Sequence, residues 1–412
     1  MKILVWSQYF WPENFPINEL ASELAEAGVK VTVLTGKPNY PEGKLFPGYR
    51  ASGITRERFS NMELVRIPLV PRGAATSLRL SLNYLSFVVS GLLIAPFALR
   101  RRKFDGIFIY APSPLLQALP ALFLAYIKKV PVTLWVQDLW PDALKATGHV
   151  KNHFALRLIG ILVRYIYRRS DLILVQSEAF RTPVVRGGGA PSKIRYFPNS
   201  IKAEAPIPVA SDAAQKLVFE MQGTFSVIYA GNIGRAQSVE TIVEAAKQLL
   251  CTAPNVKIFL VGSGSREKWM DAEIRRLGLS NLILTGRFEP SDMPSILGSA
   301  SALLITLVDD PAIALTIPSK IQTFLANGRP IVASINGEGA RVLSEAESGP
   351  VCPAGDGRSL AAAISQLEHM SPATREQLGK NGRQYFLEHF ELTRRSRELI
   401  QHLIQAKRTG ER

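Results

Sequence analysis

The chain has 412 residues, 47% of them apolar and 20% charged. This is an ordinary globular composition, too long for one hydrophobic core, so two or three domains are expected. Two cysteines, Cys251 and Cys352, exclude a disulfide framework and fit a reducing compartment. The five histidines are scattered, and the one close pair, His149 and His153, reads as solvated surface and not as a zinc site.

The net charge is +15 and unevenly placed. Residues 1–200 hold 26 of the 49 Lys+Arg but 12 of the 34 Asp+Glu, which leaves +14 on that half. Such a half seeks an anionic surface: membrane headgroups, a diphosphate or nucleic acid.

In chain order, Met1-Lys2 run straight into the apolar strand Ile3–Trp6 without a signal-peptide h-region. The long loop SQYFWPENFPIN at 7–18 leads to a helix over Asn18–Ala27, closed by Gly28. Glu13 and Asn14 in that loop either meet sugar hydroxyls or close a turn. Lys30–Thr35 is the next strand, with Gly36-Lys37-Pro38 as its exit. Further short apolar strands are read at Leu64–Pro68, Gly106–Tyr110, Val132–Val136 and Leu172–Val175. This rhythm predicts a parallel sheet with helices on both faces.

Leu80–Leu99 carries no charge and is followed by Arg100-Arg101-Arg102-Lys103. Its length permits a membrane span, but its Ser, Asn, Gly and Pro residues and the immediate return of the strand rhythm favour a buried helix or one partly embedded in the interface. In Phe154–Arg169, Arg157, Arg164 and Arg168 share one helical face opposite an apolar one. An amphipathic core helix and a helix lying on anionic lipid both fit.

Phe197-Pro198-Asn199-Ser200 closes a domain of residues 1–200. Residues 201–215, with Pro206 and Pro208, read as a hinge linker. The rhythm restarts in a second domain, 216–395. Strands are expected at Ser226–Gly231, Val256–Val261, Leu282–Leu284, Ala302–Thr306 and Ile331–Ala333, with helices at Val239–Leu250, Arg266–Leu277, Met293–Ala300 and Ser319–Ala326. A last helical region, Pro372–Gln405, is expected to pack back towards the first domain, with 396–412 as the C-terminal helix and tail. The fold class is therefore α/β: two doubly wound, Rossmann-like domains facing a cleft. Ligands bind such sheets at the carboxyl ends of the strands.

The second domain repeats one device there. IYAGNIGRAQ places Gly231, Asn232, Gly234, Arg235 and Gln237 in a glycine turn after a strand. LVGSGSRE does the same with Gly262 and Gly264, and LTGRF with Gly286 and Arg287. Glycines let the backbone approach a ligand closely. In TIPSKIQTFLANGRPIVA, Pro318-Ser319-Lys320 open a helix that ends at Asn327-Gly328. A helix N-terminus with a lysine beside it suits a phosphate. In the first domain, Asp138 of VQDLWPD follows a buried strand; it either orients or deprotonates an acceptor hydroxyl, or caps the next helix. Asp138 and Asp142 make no convincing metal pair, and Asp309-Asp310 read as a solvated loop.

YAGNIGRAQ, LVGSGSRE, LTGRFEPSDMPSIL, NGRPIVAS and FPNS resemble family 4 glycosyltransferases of the GT-B fold, over about residues 3–395. SQYFWPE, LTGKPNYPEG and WVQDLWPDAL are similar to bacterial enzymes of colanic acid and O-antigen synthesis, including N-acetylfucosaminyltransferases. The resemblance implies transfer of a sugar, an N-acetylated deoxyhexosamine among the candidates, from a UDP-sugar to a polyprenyl-diphosphate-linked acceptor. It implies retention at the anomeric carbon, and neither metal nor other cofactor nor nucleic-acid partner. The protein would sit on the cytoplasmic face of an anionic membrane.

The chain departs from the family in places. Two glutamates eight apart are usual before the Gly-x-Pro turn; Leu315 and Thr323 stand there. A usual arginine and lysine correspond to Asn232 and Gln237, and a usual histidine to Gln137. Arg235 and Lys320 are the expected diphosphate clamp, and Asp138 the expected carboxylate on the acceptor side. Two other readings stay open: a nucleotide-sugar epimerase, for which no convincing His/Glu set appears, and a non-catalytic nucleotide-sugar-binding subunit, which the missing glutamates would allow.

Overall fold

The computed structural model describes residues 1–74, 76–142, 144, 152–203 and 210–410. His149, Pro206 and Pro208 lie outside the described residues. The chain divides into two compact units, Met1–Ser200 with Leu392–Arg412, and Ile201–Glu391.

The first unit is an eight-stranded sheet. Its strands are β1 (Lys2–Trp6), β2 (Lys30–Thr35), β3 (Thr55–Phe59), β4 (Met62–Arg66), β5 (Gly106–Ala111), β6 (Val132–Val136), β7 (Leu172–Val175) and β8 (Ile194–Tyr196), in the order β3-β4-β2-β1-β5-β6-β7-β8. Every pairing is parallel except β3 with β4. The central strands are apolar runs because helices cover both faces. β3, TRERF, is half-exposed and charged, as an edge strand should be, and it is absent from the pattern-based expectation above.

The expected Leu80–Leu99 element is a helix over Ser77–Ala98, with Thr76 capping Arg79 N. Leu80, Asn83, Phe87, Gly91, Ala95 and Ala98 are buried, one face at helical spacing. Gly91 lets this face close on the sheet: a Cβ there would lie 2.8 Å from Pro120 and 3.0 Å from Trp6. Asn83 accepts from Gln8 Nε2 (2.7 Å) and donates to the Val70 carbonyl (2.6 Å). The helix is thus an integral wall of the unit. Its other face, with Leu78, Leu82, Leu85, Val89, Leu93 and Phe97, is exposed. It packs beside Ala118–Lys128, a helix apolar on all sides that gave no periodic signal. In the His153–Arg169 helix, Leu156, Val163, Ile166 and Tyr167 are buried and Arg157, Arg164 and Arg168 are exposed.

The second unit is a six-stranded, wholly parallel sheet: β9 (Phe225–Ala230), β10 (Val256–Val261), β11 (Leu282–Gly286), β12 (Ala302–Thr306), β13 (Ile331–Ser334) and β14 (Val351–Cys352), in the order β11-β10-β9-β12-β13-β14. Successive strands leave β9 in opposite directions, so the carboxyl ends of β9 and β12 form the topological switch point at which open sheets hold ligands.

Order begins before the expected end of the linker. A helix starts at Asp212, with Ser211 Oγ accepting from Ala214 N (3.3 Å) and Asp292 holding Ser211. The expected Pro372–Gln405 region is two helices, Pro372–His389 in the second unit and Leu392–Gly410 in the first. Leu392, Leu399, Leu403 and Ala406 are buried in the first unit's core with Ile3, Val5, Phe108 and Trp135.

Candidate active site

The candidate centre of the second unit is built at that switch point. Gly231 follows β9, Gly262 follows β10 and Gly286 closes β11, with φ of 135°, 144° and 76°. Gly262 is the most constrained: an added Cβ would lie 1.9 Å from the Gly231 carbonyl oxygen. Main chain locks the three turns together. Gly231 N donates to Val261 O (2.8 Å), Gly262 N to Gly286 O (2.7 Å) and Ile233 N to Ser263 O (2.9 Å). Backbone therefore lines this end of the sheet, where side chains would fill the space.

Into it comes the Ser319–Asn327 helix. Its Pro318 N-cap brings no side-chain cap, and Gly328 ends it in the left-handed region (φ 72°). Lys320 Nζ lies 3.8 Å over the Tyr229 ring, and a Cβ on Gly231 would meet that amine at 3.2 Å. Among the described residues Lys320 has no carboxylate partner, and burial lowers its pKa to about 8. A half-buried ammonium without an acid, beside an uncapped helix N-terminus, leaves positive potential facing open space. Tyr229 is itself pinned, its hydroxyl donating to the Asn232 carbonyl at 2.5 Å.

These groups line a cavity of about 350 Å³. Gly231, Gly262, Arg287, Ser319, Lys320 and Thr323 meet there with an apolar side of Phe288, Met293, Leu297 and Phe324. Arg287 bonds Ser263. The other expected residues form the adjoining loop. Asn232 Nδ2 donates to Gln237 Oε1 (3.0 Å), and Gly234 and Gly264 each pack against Asn232. Pro318 stands at the rim as the helix N-cap. Arg235 is exposed at the start of a one-turn 3-10 helix and is not among the lining residues. Thr323 carries no charge to this wall; its hydroxyl reaches back to the Ser319 carbonyl at 3.4 Å. The apolar side, from Phe288, Met293 and Leu297, was not anticipated; LTGRFEPSDMPSIL holds all three.

The first unit has its own polar strand ends. Asp138, just past β6, is half-buried, and burial raises its carboxyl to about 6. Buried Gln137 precedes it, its carbonyl bonded to Gln176 Nε2 (3.1 Å). Glu13 does not present a carboxylate for sugar hydroxyls. It is 2% exposed and accepts from the amides of Phe10 (3.2 Å), Asn39 and Tyr40 (2.8 Å each), which ties the β1 loop to the KPNYP loop. Desolvation raises its carboxyl to about 7, against the pull of those amides and of Arg66. Asp309 accepts from Asn336, and Asp310 caps the short Pro311–Ala314 helix through the amides of Ala312 and Ile313. Asp309 thus stays exposed in its loop, as expected, while half-buried Asp310 serves as a helix cap.

Two doubly wound units, the second with a glycine-lined cavity and a buried amine at its switch point, have the GT-B architecture of glycosyltransferases. Residues 16–200 match the glycosyl transferase 4-like domain and residues 214–385 match glycosyl transferases group 1; the chain belongs to the family 4 glycosyltransferases. It is 27% identical over 347 residues to the Escherichia coli K12 protein WcaI, named for glycosyl transfer in colanic acid biosynthesis, covering 80% of this chain and 82% of that one. Among solved structures it superposes on Anabaena HepE in complex with UDP, with a TM-score of 0.70 at 15% identity, covering 98% and 100% of the two chains. Sucrose-phosphate synthase of Thermosynechococcus elongatus gives 0.69 at 19% identity, covering 98% of each chain. Escherichia coli trehalose-6-phosphate synthase OtsA gives 0.69 at 14%, covering 98% and 99%.

Proposed function

We propose that the protein transfers a sugar, an N-acetylated deoxyhexosamine by its motif resemblance, from a UDP-sugar to a polyprenyl-diphosphate-linked acceptor during surface polysaccharide synthesis. The observation that carries the donor reading is Lys320: a partly desolvated cation with no acid partner among the described residues, at an uncapped helix N-terminus, in a cavity that also has an apolar lining. A diphosphate answers the charge and a nucleobase the apolar side. HepE bound to UDP and OtsA bound to a UDP-fluoroglucose support the same donor class, and WcaI supports a polysaccharide product.

In this reading Lys320 and the helix end stabilise the departing diphosphate. Arg235, on the adjoining exposed loop, assists from outside the cavity. The acceptor hydroxyl oxygen bonds to the anomeric carbon on the face the diphosphate leaves. The carbon–oxygen bond to UDP breaks, and the leaving phosphate oxygen takes the hydroxyl proton, so configuration is retained without a metal. Asp138, kept close to neutral pH by burial, orients the acceptor. With Thr323 and Leu315 in place of glutamates, donor recognition relies on backbone and Lys320.

Incubating the full chain with UDP-sugars and a lipid-linked acceptor tests this. Product glycolipid supports transfer. A new UDP-sugar without glycolipid would establish epimerisation instead, and binding without turnover a non-catalytic subunit.

For location we propose peripheral seating on the cytoplasmic face of the membrane, through the basic first unit. Replacing Arg157, Arg164 and Arg168 with Gln should release the protein from anionic vesicles; unchanged co-sedimentation would reject that helix as an anchor.

A further inference from the structure

Two concave features meet at the amino ends of β5 and β6, opposite the strand ends that carry Gln8 and Asp138. The first is a cavity of about 530 Å³ walled by Arg100, Arg102, Lys103, Lys128, Lys129 and Lys407, with Asp105 its one acid. Asp105 is already committed, accepting from Lys2 N (2.7 Å) and Lys407 Nζ (2.8 Å). Arg102 pairs with Glu63, and Lys128 donates to the Arg102 carbonyl at 2.8 Å. Arg100, Lys103 and Lys129 are exposed and hold no ion pair among the described residues. Gathering so many cations costs repulsion that an anion would relieve.

The second feature is a groove of about 1060 Å³ whose walls include Leu92, Leu119, Leu122, Phe123, Tyr126 and Tyr165. Ile127, Lys129, Val130 and Pro131 belong to both walls, so cavity and groove adjoin. Around them lie Leu93, Phe97 and Tyr126, 74%, 63% and 80% exposed, with the Arg100 guanidinium 4.2 Å over the Phe97 ring. A water-facing surface does not favour these apolar groups; the headgroup and acyl boundary of a bilayer does.

We propose that this junction binds one anionic glycerophospholipid of the membrane, its phosphate in the cationic cavity and an acyl chain in the groove. The inference rests on the membrane-facing reading of the first unit and goes further: it names a stoichiometric lipid site, where charge attraction alone would be diffuse. The site lies on β5 and β6 at the end away from Asp138, so the lipid anchors the protein and is not its acceptor.

The test uses the full chain and dihexanoylphosphatidylglycerol below its micellar concentration, followed by calorimetry. Saturable binding of one lipid per chain is expected, with weaker binding of inorganic phosphate and of dihexanoylphosphatidylcholine. The variant Arg100→Gln/Lys103→Gln/Lys129→Asn alters only exposed side chains, with Asn chosen because Lys129 has φ 53°. It should keep the wild-type melting temperature and lose at least about tenfold in lipid affinity. Equal affinity for the phosphatidylcholine would overturn the headgroup assignment, and phosphate binding as tight as the lipid would overturn the groove. Phosphatidylglycerol/phosphatidylcholine vesicles separate the two ideas. Capture by vesicles without saturable short-chain binding overturns the site while membrane seating stands. Short-chain binding without vesicle capture supports the site while the seating fails.

Discussion

At the carboxyl ends of the first sheet, Arg66 is fully buried against the Glu57 carboxylate and the carbonyls of Gly36 and Trp11, and Glu13 accepts three amides. At the carboxyl ends of the second sheet, Lys320 lies over a tyrosine ring, among glycines, with no acid partner among the described residues. Both ends carry charge in a partly desolvated place. In the first, Arg66 and Glu13 are answered by neighbours and hold loops in shape. In the second, Lys320 meets no acid among the described residues. A charged side chain near a strand end is thus informative only once its partners are known.

The largest expected effect comes from breaking the satisfied end. Arg66→Ala strands Glu57 and two buried carbonyls, and should cost about 3 kcal/mol or more in unfolding free energy, measured by denaturant titration. A loss near zero would erase the contrast. Next, Lys320→Ala should leave the melting temperature close to wild type and cut turnover at least about tenfold, on the scale of one lost charge-stabilising donor. Normal turnover would mean that Lys320 is not the donor clamp.

The pH profile of kcat/KM sharpens the comparison further. Asp138, raised to about 6, must be ionised, and Lys320, lowered to about 8, must be charged. Activity should therefore fall below about pH 6 and above about pH 8, with Asp138→Asn removing the acid limb and Lys320→Arg the alkaline one. Folding raises Asp138, so its ionised form opposes stability. That cost is absent below its unfolded pKa and complete above about 6. The smallest effect is expected at Arg235, exposed and outside the cavity: Arg235→Ala should change kcat/KM by about twofold, the scale of a surface substitution. A loss matching that of Lys320→Ala would place Arg235 in the clamp.

The parts that were legible in sequence are those whose cause is local. Short apolar runs mark β1, β2, β9 and β10, the last three followed by glycine, because a covered parallel strand has little else to be. Gly231, Gly262 and Gly286 announced tight turns, and each has positive φ. The less legible parts depend on distant partners. β3 reads TRERF because it is a half-exposed edge, and Ala118–Lys128 is apolar all round although only one face is buried, with Phe123, Tyr126 and Ile127 exposed. For Glu13 the sequence left sugar contact and a turn equally open, and the amides of Asn39 and Tyr40 decide for the turn. Lys320 was visible as a lysine at a helix start, but its desolvation over Tyr229 depends on a residue ninety positions away. The exposed stripe of the Ser77–Ala98 helix was invisible for a simpler reason: both faces are apolar, so composition could not say which one meets the sheet.

The Leu392–Gly410 helix has a consequence for how the molecule is made. It supplies Leu392, Leu399 and Leu403 to a core whose other members come from the first 200 residues. A ribosome adding about 5–20 residues per second leaves that core open for roughly ten to forty seconds after its last strand has emerged. The second unit, contiguous in sequence, is complete before the first can close. A nascent chain with the second unit emerged and Leu392 still to follow should therefore carry a finished second unit joined to an unsealed, chaperone-accessible first one.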